Sequence, residues 1–293
     1  MLHALDRARM RATHASGDRP GNTRVRGRSD AHGTEIERHA PYAPGDDLRR
    51  IDWASYARLG ELLIRRFVAE REVPVWVIVD ASASMGPAEP GSKLDMATAI
   101  GAIFATVALS SGDRVFLGSV PGSAGQPLDR CGPLRQRRCL VDVQRFFTGL
   151  APVAGAGDLV AGVASALRAT RRGVVVLVSD FLHPPAEIER LLDLIVASRS
   201  EGKLVQVLSR EDVDPSCLRN CDALVDRETG SSWRIRASAD TWQRYQRALA
   251  EHAAFVSAAA ARRAMTAAAT VSDAGLRSFL REEMPRLGLR LVR

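Results

Sequence analysis

Two uninterrupted apolar runs, each leading to an aspartate, constrain the fold of this 293-residue chain more than any other feature. Residues 75–79 (VWVIV) precede Asp80, and residues 174–178 (VVVLV) precede Ser179 and Asp180. A run without alternating polar residues, rich in β-branched side chains, is typical of a strand that is buried on both faces. Such strands occur in parallel sheets covered by helices, so the two runs predict the centre of an α/β domain.

The segments around these runs alternate between helical and strand patterns. Apolar residues recur at steps of three and four in the predicted helices, and short apolar runs predict further strands. The alternation predicts a doubly wound, mostly parallel sheet with helices on both faces, the architecture of Rossmann-like α/β domains. The predicted helices are residues 93–110, 137–150, 159–170 and 186–200, and the further predicted strands are residues 114–120 and 203–209.

A β-hairpin and a long helix are predicted to interrupt the alternation at about residues 211–265. Two short apolar segments flank a turn at residues 228–230, which is the pattern of a hairpin. An alanine-rich helix follows, and Asp240 is its predicted N-terminal cap.

The part of the chain before the sheet divides into two segments. Residues 1–31 are predicted to form a loose N-terminal arm, residues 32–72 a separate strap, and residues 73–293 the α/β domain. The strap is dense in charge and also carries Trp53 and Tyr56. It has two interpretations: a cover whose Arg and Asp side chains pair with each other, or a docking surface, where Trp, Tyr and Arg are favoured anchors.

Composition narrows the classes of partner and compartment. The net charge is +7, but the arginines are scattered and form no cluster of the kind that contacts nucleic acid. An acidic protein uses the same electrostatics, so we predict a protein partner and no nucleic acid.

No stretch resembles a signal peptide or approaches the ~20 apolar residues of a membrane span. Because neither a targeting segment nor a membrane span is recognised, the sequence predicts a cytoplasmic protein with reduced thiols. The four cysteines also lack zinc-ligand spacing.

Three oxygen-bearing side chains follow the first apolar run at alternate positions, namely Asp80, Ser82 and Ser84. Parallel strands end at the same edge of a sheet, where ligands bind in open α/β folds, so Asp180 is expected to join them. Carboxylate and hydroxyl oxygens suit a hard cation such as Mg²⁺. The alternative is a strand followed by an ordinary polar turn, since Asp and Ser are common there.

This D-x-S-x-S motif with a later Asp resembles the metal-ion-dependent adhesion site of von Willebrand factor A-type domains. The resemblance implies that Ser82 and Ser84 bind Mg²⁺ directly, while Asp80 and Asp180 act mainly through water molecules. Mn²⁺ or Ca²⁺ would be alternative ions. It also implies a free coordination position that accepts an acidic side chain from a partner.

A wider resemblance extends over roughly residues 30–293. The strap motif from Tyr42 to Arg58, the sequence Ser179-Asp180-Phe181 and the segment 225–230 are similar to the bacterial domain-of-unknown-function family fifty-eight. Members of that family are often encoded beside MoxR-type AAA+ ATPases. The resemblance implies an adaptor that works with such an ATPase and its client protein. The strap residues that we predict to dock a partner are Asp46, Asp47, Arg49, Asp52, Trp53 and Arg58.

The chain departs from the family pattern in the loop before the third predicted helix. The family has a Thr there that binds the metal, whereas this chain has Gly157, followed by Asp158. A glycine has no side-chain ligand, and cation affinity depends on the number and charge of the ligands. We therefore predict a weakened metal site, for which Asp158 or water is the candidate replacement.

The function predicted from the sequence is a non-enzymatic, metal-dependent binding adaptor. Two alternatives remain open: a metal-independent docking protein with a vestigial metal site, and a metal-dependent hydrolase. For the hydrolase, His183 is the only base near Asp180 in the sequence. No phosphate-binding glycine motif follows a strand, so ATP hydrolysis would come from the partner.

Overall fold

The structure, a computed structural model, describes residues 8–10, 36–43, 48, 51–67, 72–86, 90–122, 125–153, 157–170, 172–214, 223–234 and 238–291. The chain divides into two compact units, one of Val73–Arg293 with Met1–Gly17 and one of Asp18–Glu72. The predicted loose arm lies outside the described residues except for residues 8–10.

Strands and helices alternate along most of the described part of the chain. The strands are β1 (Ala8–Met10), β2 (Ile36–Pro41), β3 (Leu63–Phe67), β4 (Pro74–Asp80), β5 (Arg114–Val120), β6 (Asp129–Leu134), β7 (Val174–Ser179), β8 (Glu201–Leu208), β9 (Ala223–Val225), β10 (Ser232–Arg234), β11 (Thr266–Val271) and β12 (Leu289–Leu291). The α-helices are α1 (Trp53–Leu59), α2 (Lys93–Ser110), α3 (Leu140–Thr148), α4 (Leu159–Ala169), α5 (Pro185–Ala197), α6 (Arg210–Val213), α7 (Ala239–Arg262) and α8 (Leu276–Glu282).

A six-stranded sheet forms the centre of the larger unit. Its order is β11-β8-β7-β4-β5-β6, and every neighbouring pair is parallel except β5 and β6. The two apolar runs form β4 and β7, which lie side by side in the middle of the sheet. The structure thus confirms the predicted fold class, a mostly parallel α/β sheet.

Each face of this sheet carries its own hydrophobic core. Along β4, Val75, Val77 and Val79 pack into one core, which also contains Leu94 of α2. Trp76 and Ile78 point to the opposite core, with residues of α4, α5 and α7. Because successive side chains of a strand point to opposite faces, an uninterrupted apolar run is what a sheet with two covered faces requires.

Helix α2 is the central helix of the first core. It begins after Ser92, whose hydroxyl accepts a hydrogen bond from the backbone N–H of Asp95, and it ends at Ser110, as predicted. By length and hydropathy, α2 is the one helix among the described residues that could cross a membrane, and 67% of it is buried inside the protein. That burial is expected for a core helix of a folded domain.

The hairpin and the long helix of the predicted insertion are also present, as β9–β10 and α7. The predicted cap of α7 is wrong, because Ser238 rather than Asp240 caps the helix by accepting a hydrogen bond from the backbone N–H of Thr241.

In the smaller unit, β2 pairs antiparallel with β3, and α1 precedes β3.

Candidate metal centre

Asp80 and Asp180 meet at the carboxyl edge of the sheet. Asp80 ends β4, Asp180 follows the last residue of β7, and these two strands are direct parallel neighbours. The two residues are 2% and 1% exposed. One carboxylate oxygen of each and one ring nitrogen of His183 all lie within 4.8 Å of one another. Sheet topology thus brings together two acids that are far apart in the chain.

The two serines of the D-x-S-x-S motif lie in the turn that follows Asp80. The hydroxyl oxygens of Ser82 and Ser84 are 3.0 Å apart, and residues 83–85 form a single 3₁₀ turn. The backbone N–H of Ser82 donates to Oδ1 of Asp80 at 2.9 Å. This bond ties the turn to the end of β4, so the hydroxyl pair is held beside the carboxylates.

Asp80 is a buried acid whose charged form is disfavoured. Burial and the neighbouring carboxylate of Asp180 raise the pKa of Asp80 above its ordinary value of 3.8. Hydrogen bonds from the hydroxyl of Ser179, at 2.6 Å from Oδ2, and from Ser82 act in the opposite direction but do not cancel this effect. A divalent cation at this position would relieve the repulsion between the two carboxylates.

Lys93, at the start of α2, contributes a positive charge that the sequence analysis did not predict. Its Nζ lies 2.8 Å from Oδ2 of Asp180 and 3.2 Å from Oδ2 of Asp212, and the residue is buried. Burial alone would lower the pKa of Lys93, but the two carboxylates outweigh burial and raise it. The ammonium therefore offsets part of the negative charge that would otherwise attract a cation.

His183 also lies at the centre, although the sequence analysis named it only as the candidate base of a hydrolase and not as part of the metal site. Its Nδ1 atom is buried and has no hydrogen-bond partner among the described residues. A buried ring nitrogen is ordinarily hydrogen-bonded, so one without a partner beside two carboxylates is an unusual feature. The turn after β7 supplies both Asp180 and His183.

The loop with Gly157 cannot hold the Thr that the family pattern expects without a shift of its surroundings. A Cβ atom at Gly157 would lie 2.7 Å from Cδ of Pro121, closer than such atoms approach. Asp158 is exposed and caps α4, because its Oδ1 accepts a hydrogen bond from the backbone N–H of Ala161 at 2.8 Å. The ring of Pro121 thus fills the space of the missing ligand, and Asp158 already has a structural role.

A cavity of about 990 Å³ opens over this centre, and the turn between β9 and β10 lines one side of it. Asp226 orders that turn by accepting hydrogen bonds from the backbone N–H of Glu228 and the hydroxyl of Thr229, both at 2.8 Å. Burial raises the pKa of Glu228. His183 opposes this effect, and the carboxylates of Asp80 and Asp180 add to it. The turn therefore places one more carboxyl group within the electrostatic range of the centre.

A family model with the description "Protein of unknown function DUF58" matches residues 38–255. The chain belongs to DUF58. The match confirms the family that the strap and sheet motifs predicted, over residues 38–255.

Two curated relatives of this DUF58 chain are described as uncharacterised proteins. Proteins Mb1516 of Mycobacterium bovis and Rv1480 of Mycobacterium tuberculosis are each 32% identical over 185 residues, which is 62% of this chain and 57% of each relative. The match thus spans little more than half the length of these relatives.

Two solved structures from Bacteroides share low similarity with this DUF58 chain. They are the conserved hypothetical protein BatB of Bacteroides thetaiotaomicron, at 12% identity and a TM-score of 0.44, and an aerotolerance-related membrane protein of Bacteroides fragilis, at 13% and 0.43. The two likenesses cover 73% and 72% of this chain and 98% of each of those chains.

The predicted docking residues of the strap have different environments. Asp52 is buried and caps α1 by accepting hydrogen bonds from the backbone N–H groups of Ala54 and Ser55. Trp53 is 60% exposed, and Arg58 is exposed as well. Asp46, Asp47 and Arg49 lie outside the described residues.

One signal in the sequence could have identified Lys93. The chain has 41 basic residues of the Lys and Arg types, and lysine occurs only at positions 93 and 203. Both lysines are buried and paired with carboxylates, Lys203 with Glu201 at 2.7 Å. The rare choice of the compact ammonium over the larger guanidinium marks both positions as buried ion pairs.

Proposed function

We propose that this protein is a non-enzymatic binding module whose divalent-cation site captures an acidic side chain of a partner protein. The observation that carries the proposal is that the buried carboxylates of Asp80 and Asp180 meet at the sheet edge, where Ser82 is hydrogen-bonded to Asp80 and its hydroxyl lies 3.0 Å from that of Ser84. These oxygen atoms fit the ligand type and charge that Mg²⁺ prefers. When bound, the cation would supply an open coordination position for a partner's carboxylate.

In this proposal, each side chain of the site has a separate role. By resemblance to von Willebrand factor A-type domains, Ser82 and Ser84 bind the cation directly, and Asp80 and Asp180 hold it through water molecules. Ser179 orients Asp80 by donating a hydrogen bond to it. With Pro121 in the place of the loop ligand, we expect a weaker site than in those domains.

The partner in this proposal is a MoxR-type AAA+ ATPase or its client protein. Family resemblance supports this choice, and the basic character of the chain suits an acidic segment. The cavity over the centre is lined by Arg210 and Arg227 but by more acidic than basic residues, so in this proposal the bound cation, not the cavity wall, attracts the acidic segment. Because the ATPase consumes ATP, we expect the interaction to take place in the cytoplasm.

Docking through the strap without any metal is the second candidate function. Helix α1 exposes Trp53, Tyr56 and Leu59 at a spacing of three residues, so they share one face. The rings of Trp53 and Tyr56 contact edge to face, with centroids 6.2 Å apart. An exposed aromatic pair of this kind is a typical anchor of a protein interface.

A capture experiment separates the two candidates. The full-length protein is immobilised and exposed to lysate of its source cell, with Mg²⁺ or with EDTA, and captured AAA+ ATPases are identified by mass spectrometry. Asp180→Asn tests the cation site, with the exposed Asp240→Asn on α7 as its control. Trp53→Ala tests the strap, with Trp233→Ala as its control, because Trp53 and Trp233 are 60% and 61% exposed.

Capture of a MoxR-type ATPase that requires Mg²⁺ and is lost in Asp180→Asn is the result that we expect. Equal capture in EDTA, combined with loss in Trp53→Ala alone, would contradict the cation-dependent function and favour the strap. Loss of capture in the two control variants would show that neither result is specific.

A further inference from the structure

The ring of His183 lies at the candidate centre, but no hydrogen bond of its Nδ1 atom to the described residues accounts for its position there. Its Nδ1 atom is buried and has no hydrogen-bond partner among the described residues. The neighbouring groups are already bonded: Oδ2 of Asp180 accepts from Lys93, and Oδ1 accepts from the backbone N–H of Leu182. A buried nitrogen without a hydrogen-bond partner destabilises the folded state, so its retention calls for a ligand.

The position of His183 matches that of a metal ligand. One of its ring nitrogens lies within 4.8 Å of a carboxylate oxygen of Asp80 and of Asp180. Three ligand atoms spaced evenly around an ion with bonds of about 2.1 Å lie about 3.6 Å from one another. Shifts of less than about 1 Å would therefore bring all three atoms onto one cation.

A nitrogen ligand changes which cation a site prefers. Carboxylate, hydroxyl and water oxygens suit Mg²⁺, Ca²⁺ and Mn²⁺, whereas imidazole suits the later first-row transition ions and Zn²⁺. At a given site with nitrogen and oxygen ligands, the affinity for transition ions rises from Mn²⁺, the weakest of them, through Co²⁺. Mg²⁺ gains little from imidazole because it is a hard ion that favours oxygen. A centre with one nitrogen and several oxygens should thus select a transition ion over Mg²⁺.

We propose that His183 binds the cation directly, and that Asp80 and Asp180 also bind it directly rather than through the water molecules that the adhesion-site resemblance implies. The imidazole nitrogen then shifts the preference of the site toward Mn²⁺, Co²⁺ and Zn²⁺. The inference rests on the proposed function, since it assigns the ion of the same site. It adds a ligand that the adhesion-site resemblance does not contain. It also compensates for the ligand that the ring of Pro121 displaces at Gly157.

Two measurements on the full-length, chelator-stripped protein test this assignment. Isothermal titration gives the affinities for Mg²⁺, Mn²⁺ and Co²⁺, and pulsed electron paramagnetic resonance on the Mn²⁺ form detects ¹⁴N coupling from a coordinated imidazole. The variants are His183→Ala and, as a control, His252→Gln. His252 is another partly buried histidine, but its Nε2 is bonded to the carbonyl of Phe181 at 2.7 Å. Asp80→Asn shows whether the bound ion occupies this centre.

The expected result is ¹⁴N coupling in the wild-type protein and in His252→Gln but not in His183→Ala. We also expect His183→Ala to lose at least about tenfold in affinity for Mn²⁺ and Co²⁺, with little change for Mg²⁺. Binding of Mn²⁺ that depends on Asp80, shows no ¹⁴N coupling and is unchanged in His183→Ala would overturn the assignment of His183 while leaving the cation site intact. If none of the three ions binds the wild-type protein, the proposed function fails as well.

Discussion

At the scale of single residues, Lys93 decides how strongly the centre attracts a cation. Its ammonium is 2.8 Å from Asp180 and competes with a divalent ion for the same carboxylate. Lys93→Met should therefore raise the affinity for Mn²⁺. Without metal it leaves a buried carboxylate unpaired, so we expect it to lower the free energy of unfolding by about 3–5 kcal/mol. Titration calorimetry and urea unfolding, with and without Mn²⁺, measure both effects.

Lys203→Met is the matched control for this variant. Lys203 is also buried and donates to Glu201 at 2.7 Å and to the carbonyl of Leu287 at 2.8 Å, away from the two aspartates. Lys203→Met should lower the free energy of unfolding without changing the affinity for Mn²⁺. Unchanged or weaker Mn²⁺ binding in Lys93→Met would refute the competition between ammonium and metal.

Asp80 makes a pH-dependent contribution to stability. The pKa of Asp80 is raised above 3.8 on folding, so the folded state favours the protonated acid. The stability that this preference contributes is therefore fully present below about pH 4 and is lost as the pH rises through the raised pKa. In EDTA at neutral pH, Asp80→Asn should therefore be more stable than the wild type, and the difference should shrink toward about pH 4. Urea unfolding across this pH range checks the prediction, and a less stable variant at neutral pH would contradict it.

The residues of the centre that sequence analysis could predict are those that follow directly from the strand pattern. Asp80, Ser82, Ser84 and Asp180 come at or after the ends of apolar runs, and parallel strands bring such ends together. Lys93 and His183 approach the same point from a helix start and a loop. Their approach depends on side-chain direction and packing, which residue spacing does not encode.

At the scale of elements, the loop before α4 packs so closely against the loop after β5 that a side chain at Gly157 would clash with Pro121. Gly157 is required because the ring of Pro121 occupies the position of its Cβ. Gly157→Thr should thus fail to restore a ligand and should lower the free energy of unfolding by about 1–3 kcal/mol through overpacking. Urea unfolding and Mn²⁺ titration of the variant test both statements.

A double-mutant cycle with Pro121→Gly provides the control for this loop pair. If the two residues are coupled sterically, the double variant should be more stable than the sum of the single changes predicts. A Gly157→Thr variant that is as stable as the wild type and binds Mn²⁺ more tightly would contradict the steric exclusion of a ligand from this loop.

Helix bounds could be predicted where one capping residue and a clear apolar period mark them. They could not be predicted where two neighbouring residues are equally good caps. The bounds of α2 follow from a capping serine and a sustained apolar period, and the structure has them at Lys93–Ser110 as predicted. The predicted cap of α7 was wrong because Ser238 and Asp240 are both good caps two positions apart. Alanine-rich sequence after them does not discriminate between the two.

At the scale of the whole molecule, cation binding should stabilise the folded chain. An ion that binds only the folded state adds about 2.7 kcal/mol at one hundred times its Kd. For a domain of this size, that corresponds to a rise in Tm of roughly 5–10 °C. We predict such a rise with Mn²⁺, reversal by EDTA and no rise in Asp180→Asn. Differential scanning calorimetry measures it, and an equal rise in the variant would indicate binding elsewhere.

Anomalous X-ray diffraction from crystals grown with Mn²⁺ is the most direct measurement of the central claim, a cation site at the carboxyl edge of the sheet. We predict an anomalous peak among the carboxylates of Asp80 and Asp180 and the hydroxyls of Ser82 and Ser84. The ring of His183 should lie within bonding distance of the same peak. A fully occupied Mn²⁺ site elsewhere, or no peak at this edge at a saturating concentration, would contradict the claim.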